Sequence, residues 1–183
     1  MTNSPTEMLE AEHRFIAKVV SAAGLLADKL EAGQSVEAQV FQNVVEFMRL
    51  YADKCHHGKE EDLLFPLLEQ RGVPMRGCPV EALMREHDMG RALVKGLAEA
   101  AEAWQTGDPF ARENLIKNLR GITELYPNHI WKEDYLLFPM SNKVLNVEDQ
   151  QTLALEFDRV VEAVGREVHQ RLELLSEQLA QIN

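Results

Sequence analysis

Four histidines and two glutamates recur at spacings that could serve a pair of metal ions. His13 follows Glu12, and 43 positions later His56 stands four residues before Glu60. His87 follows Glu86, and 42 positions later His129 stands four residues before Glu133. On a helix, residues four apart share a face, so each His-x-x-x-Glu pair can present an imidazole and a carboxylate to one ion. That mixture suits intermediate divalent metals such as iron. A carboxylate can also bridge two ions, and ions about 3.5 to 4 Å apart can act together on one small ligand. Bridging would leave octahedral positions open, unlike a filled, tetrahedral structural zinc site.

The elements that must position these groups are helices. Apolar residues recur at spacings of three and four in five segments divided by Gly, Pro and Asn clusters, and strand signals are nearly absent. The spacing predicts helices over about 6–30, from a Ser35 N-cap to about 70, over about 80–105, from Asp108-Pro109 onward, and over about 148–180. The two halves repeat. His56-His57-Gly58-Lys59-Glu60 followed by Leu63-Leu64-Phe65-Pro66 aligns without a gap on His129-Ile130-Trp131-Lys132-Glu133 followed by Leu136-Leu137-Phe138-Pro139. Matching helical hairpins predict a pseudo-two-fold bundle.

Periodicity chooses between the adjacent His56 and His57. Steps from His56 meet Phe41, Val45, Met48, Ala52, Leu63 and Leu67, whereas steps from His57 meet Glu46, Leu50 and Asp53. His56 and Glu60 are therefore expected inside, with His57 on the flank. His13 falls between Leu9 and Ile16, His87 between Leu83 and Val94, and His129 between Leu125 and Leu136, all on apolar stripes. Two buried carboxylates without a cation would each cost several kcal/mol or become protonated. A metal cluster removes that cost. Tyr126 shares the face of His129 and is a candidate pocket residue, and Pro127 is expected to kink its helix. Glu12 and Glu86 are placed on a solvated face, with hydrogen bonds to imidazoles as the alternative. Cys55 is expected to be a small buried hydrophobe, and the fifth helix a cover over the bundle.

Length and charge bound the rest. The 183 residues suit one domain, 1–183, with a metal-binding bundle over about 6–140 and a C-terminal helix over about 148–180. Thirty acidic against 19 basic residues, a net charge of −11, disfavour nucleic acid and anionic lipid as partners. The opening residues show no leader pattern, and no apolar run is long enough to span a membrane. Two cysteines, Cys55 and Cys78 in a Gly-Pro loop, are too few for a disulfide framework. The expected setting is the cytoplasm, and the expected state a monomer or weak dimer.

One His on helix one, His-x-x-x-Glu on helix two, one His on helix three and His-x-x-x-Glu on helix four resembles the hemerythrin-like (HHE) family, over about Glu12 to Pro139. The resemblance implies an all-α, antiparallel up-down four-helix bundle, here with an additional C-terminal helix. It also implies a carboxylate- or oxo-bridged centre of two non-haem irons with His13, His56, Glu60, His87, His129 and Glu133 as ligands. The implied partners are dioxygen, peroxide or nitric oxide, and a reducing activity would require an electron donor. Oxygen carriers of this kind have a fifth histidine. With His57 read as flanking and His169 on the fifth helix, no inward fifth histidine is expected, which counts against reversible oxygen carriage. The alternative class is an oxygen or iron sensor, or an iron donor without turnover.

Overall fold

The computed structural model describes residues 4–77 and 79–182, and Cys78 lies outside them. Among the described residues the chain forms six helices and no strand. Helix α1 is Pro5–Glu31, started by a capping box in which Ser4 accepts from the Glu7 amide while Glu7 accepts from the Ser4 amide. Helix α2 spans 38–70, α3 is Pro79–Thr106, α4 spans 111–144, α5 is Val147–Val164 and α6 is Arg166–Leu179. Three expected boundaries shift. Helix α2 begins at Ala38 without a side-chain cap, so Ser35 is not its N-cap. Asp108 and Pro109 form a turn in which the Asp108 carboxylate accepts from the Phe110 amide, and α4 starts at Ala111. The expected fifth helix is two helices, broken at Gly165, whose φ of 103° a side chain rarely adopts.

Long-range pairings fix the topology. Thr6 bonds Asn142 and Arg120 bonds Asp28, so α1 and α4 are antiparallel. Trp104 donates to the Val36 carbonyl and Arg91 pairs with Asp53, so α2 and α3 are antiparallel as well. Helices α5 and α6 pack across α1 and α2 as a cover.

Helices α2 and α4 are not uniformly α-helical. Wider π-helical turns occupy Met48–His57 and Glu60–Leu64 in α2, and Glu133–Leu137 in α4. Such turns close on i→i+5 bonds and are frequent at functional sites. They shift the inward register by about one residue. Leu64, Leu68 and Leu137 are fully buried, while Leu63 and Leu67 are only partly so and Leu136 is exposed. Two apolar clusters result. One holds Ile16–Leu30, Phe41–Ala52, Val94–Ala101 and Leu115–Tyr126, and the other holds Leu9, Leu64–Leu68, Leu83, Leu137, Phe138 and Phe157. The candidate residues form a polar layer between them.

Candidate metal centre

All six candidates meet in this layer: His13, His56, Glu60, His87, His129 and Glu133 are each at most 4% exposed. A seventh group joins them. His57, expected on the flank, is 2% exposed, stacks on His87 with ring centroids 3.8 Å apart, and brings a ring nitrogen within 4.8 Å of those of His87 and His129. The π-helical turn is the reason. It changes the angle per residue, so a walk at α-helical spacing assigns the wrong face to the residue after His56.

The donors divide into two sets that share the glutamates. On one side His13 Nε2 lies 3.0 Å from His56 Nε2 and 3.1 Å from Glu133 Oε2. On the other, His57, His87 and His129 converge, and Glu133 Oε1 lies 3.6 Å from His87 Nε2 and 3.1 Å from His129 Nε2. Glu60 Oε2 faces both sets, 3.8 Å from His56 Nε2 and 3.5 Å from His87 Nε2.

Each of the five imidazoles is held from behind by a carboxylate at Nδ1. The partners are Asp134 for His13 at 2.7 Å, Glu12 for His56 at 3.0 Å, Asp53 for His57 at 3.4 Å, Glu61 for His87 at 2.6 Å and Glu86 for His129 at 3.0 Å. A carboxylate there keeps the N–H at Nδ1, fixes the ring and leaves Nε2 as the inward lone pair. Glu12 and Glu86 are thus not solvated helix-face residues. They also carry cations, Glu12 pairing with the buried Lys59 and Glu86 with Lys132. Arg91 joins the carboxylates behind His57 and His87, at 2.8 Å from Asp53 and 2.7 Å from Glu61. The repeat explains the exchange: Glu12 and Glu86 serve the histidine of their own hairpin, while Glu61 and Asp134 serve that of the other. His57 breaks the symmetry, since Ile130 stands at its repeat position.

Charge in the layer is frustrated. Burial and the neighbouring Glu133 push the Glu60 carboxyl well above its usual range. Burial also opposes ionisation of Glu133, but His129, His13 and His87 outweigh it and hold that carboxyl well down. Burial lowers His13 less than Asp134 and Glu133 raise it, to about 9, whereas burial drives His56 down to about 4 and His57 well below its ordinary value. Both oxygens of Glu60 and of Glu133, with Nε2 of His87 and of His129, are buried without a hydrogen-bond partner. Such orphaned acceptors are rare and costly in native interiors. Imidazole nitrogens and carboxylate oxygens together suit a metal cation, and a cation at their focus would satisfy these atoms.

The remaining candidates lie around the layer. Tyr126 is 3% exposed and lines a cavity of about 250 Å³ beside His57. Cys55 is buried near Glu12 and His169, and His169 Nε2 is 3.5 Å from Glu12 Oε1, outside the central layer. No described helix is long and apolar enough to cross a membrane.

Comparison with known proteins agrees with this geometry. The profile of the hemerythrin HHE cation binding domain matches residues 4–141. An uncharacterized protein of Mycobacterium bovis and one of Mycobacterium tuberculosis are each 25% identical to the chain over 166 residues, 90% of its length. The chain covers 61% of the length of each of these relatives. No solved structure matches.

Proposed function

The chain belongs to the hemerythrin HHE cation-binding family, and on that premise we propose that it is a non-haem di-iron protein that binds or reduces a small oxidant: dioxygen, hydrogen peroxide or nitric oxide. The observation that carries the reading is the convergence of five imidazoles and two carboxylates in one buried layer, where both oxygens of each glutamate and Nε2 of His87 and His129 lack a hydrogen-bond partner while every outward imidazole nitrogen has a carboxylate.

In this reading His13 and His56 would hold one iron and His57, His87 and His129 the other, with Glu60 and Glu133 available to both. Bound there, iron would supply electrons and exchangeable coordination positions. The chain's own residues do the rest. Asp134, Glu12, Asp53, Glu61 and Glu86 orient the rings, and Lys59, Lys132 and Arg91 fix those carboxylates in turn. The flanking apolar clusters keep bulk water out. With His57 inside, the histidines number five, as the resemblance gives for oxygen carriers, so the argument against reversible carriage falls away. The reduced protein should be mixed with dioxygen, hydrogen peroxide and nitric oxide in a stopped-flow spectrometer. Spectral change with at least one is expected, and inertness to all three refutes the reading.

A further inference from the structure

The cavity beside His57 has a composition that the rest of the chain does not predict. Its wall carries three cations, Arg49, Arg91 and Lys95, and one carboxylate, Asp53, in a chain of net charge −11. Arg91 is occupied by Asp53, Glu61 and Asp88, and the exposed Lys95 reaches Glu99 only at 4.0 Å. Arg49 makes no ion pair among the described residues. At the inner end lie His57 and Tyr126, whose rings are nearly parallel at 6.4 Å. The Tyr126 hydroxyl makes no hydrogen bond among the described residues although the side chain is 97% buried, that is, 3% exposed. Gly90 leaves space for it, since a Cβ there would sit 2.8 Å from that oxygen.

The internal repeat supplies a control. The repeat positions of Arg49, Arg91 and Lys95 are Ile122, Ala17 and Ser21, and that of His57 is Ile130. These three cations thus have no counterpart at the repeat-related positions on the other side of the metal layer, where the fifth histidine has none either. A volume of about 250 Å³ suits a few waters or a small ion and excludes a nucleotide or a peptide.

We propose that this cavity is a vestibule that binds a small monovalent anion between Arg49, Lys95 and the Tyr126 hydroxyl and delivers it to the His57 side of the metal layer. Cations concentrated in a low-dielectric cleft raise the local anion concentration and the rate of entry. The Tyr126 O–H supplies the one buried donor. Delivery rests on the di-iron reading; binding in the vestibule does not.

Two measurements on the protein as purified test the proposal. Crystals grown in sodium bromide should show an anomalous bromide peak in the cavity, within hydrogen-bond reach of Arg49, Lys95 or Tyr126, and the peak should vanish in R49E/K95E. In stopped flow, azide should alter the spectrum of the oxidised wild-type protein about tenfold or more faster than that of R49E/K95E at low ionic strength. That gap should close as salt rises, and nitric oxide, which is uncharged, should react equally with both. Both substituted residues are exposed, and matched thermal melts confirm folding. Bromide absent from the cavity, or equal azide rates at low salt, overturns the proposal. Should the protein hold no iron, the bromide map still decides the vestibule.

Discussion

Replacing His57, the fifth imidazole of the layer, should loosen one metal ion and spare the other. Periodicity makes His57 a flanking residue, so His57→Ala would leave the metals in place. In the structure it is one of three imidazoles on one side of the layer, and its loss leaves that side with two. Removing a partner behind a ligand typically weakens metal binding 10- to 100-fold, so removing a ligand should cost at least the upper figure, about 2.7 kcal/mol. Truncation also deletes a ring stacked at 3.8 Å on His87, and loss of a buried aromatic side chain costs about 3 kcal/mol by itself. His57→Phe separates the two contributions, because it retains a ring and removes the nitrogens. Metal per chain and affinity should be measured by elemental analysis and calorimetry, with thermal melts of the metal-free and loaded forms. We expect both variants to keep one ion tightly and hold the second about 100-fold more weakly. The metal-dependent rise in melting temperature should shrink in both, and His57→Ala alone should also lower the metal-free melt. Two ions bound at wild-type affinity in both variants would make His57 a packing residue and not a ligand.

Three further outcomes follow from the same contacts. His13 titrates at about 9 in the metal-free protein because Asp134 and Glu133 outweigh its burial. Its contribution to metal-free stability is therefore complete below its ordinary value of about 6.5 and is lost as pH rises through 9. A metal must displace that proton, so affinity should rise by up to tenfold per pH unit from about 7 to 9, with proton release seen in calorimetry in two buffers; a flat profile contradicts the assignment. Lys59→Met strands the buried Glu12 carboxylate without its ammonium partner and should lower stability by about 3 kcal/mol in denaturant unfolding, whereas a loss under about 1 kcal/mol would mean that Glu12 is held adequately by His56 and His169. Gly90→Ala should cost about 1–2 kcal/mol despite the better helix propensity of alanine, because the added Cβ would sit 2.8 Å from the Tyr126 hydroxyl and force that buried ring to shift. Adding Tyr126→Phe should recover much of that loss, and strict additivity in the double-mutant cycle would rule out the clash.

Much of the fold is legible from residue types, because apolar stripes, Gly and Pro punctuation and a gapless internal repeat leave little choice but paired helical hairpins. The meeting of His13, His56, Glu60, His87, His129 and Glu133 in one buried layer follows from the same pattern. What periodicity misses has one cause. A walk along α2 or α4 assumes a constant angle per residue, and the π-helical turns at Met48–His57, Glu60–Leu64 and Glu133–Leu137 break that assumption. Leu64, Leu68 and Leu137 therefore replace Leu63, Leu67 and Leu136 in the core, and His57 turns inward. Two signals for His57 were present: the adjacency of two histidines where the repeat has His-Ile, and Asp53 four residues earlier as a partner for its Nδ1. Glu12 and Glu86 look solvated because each precedes a buried histidine by one position, but tertiary partners from α2 and α4 decide their burial. The break at Gly165 is a lone glycine in an otherwise helical run, and only its positive φ reveals a boundary.

We propose one iron at each donor set, with Glu60 and Glu133 shared between the two. Anomalous diffraction at the iron edge, combined with elemental analysis of the same iron-replete sample, tests it most directly. About two irons per chain are expected, with two anomalous peaks flanking the Glu133 carboxylate, one beside His13 and His56 and the other beside His57, His87 and His129. A single peak, or a tetrahedral zinc ion held by one donor set alone, would contradict it.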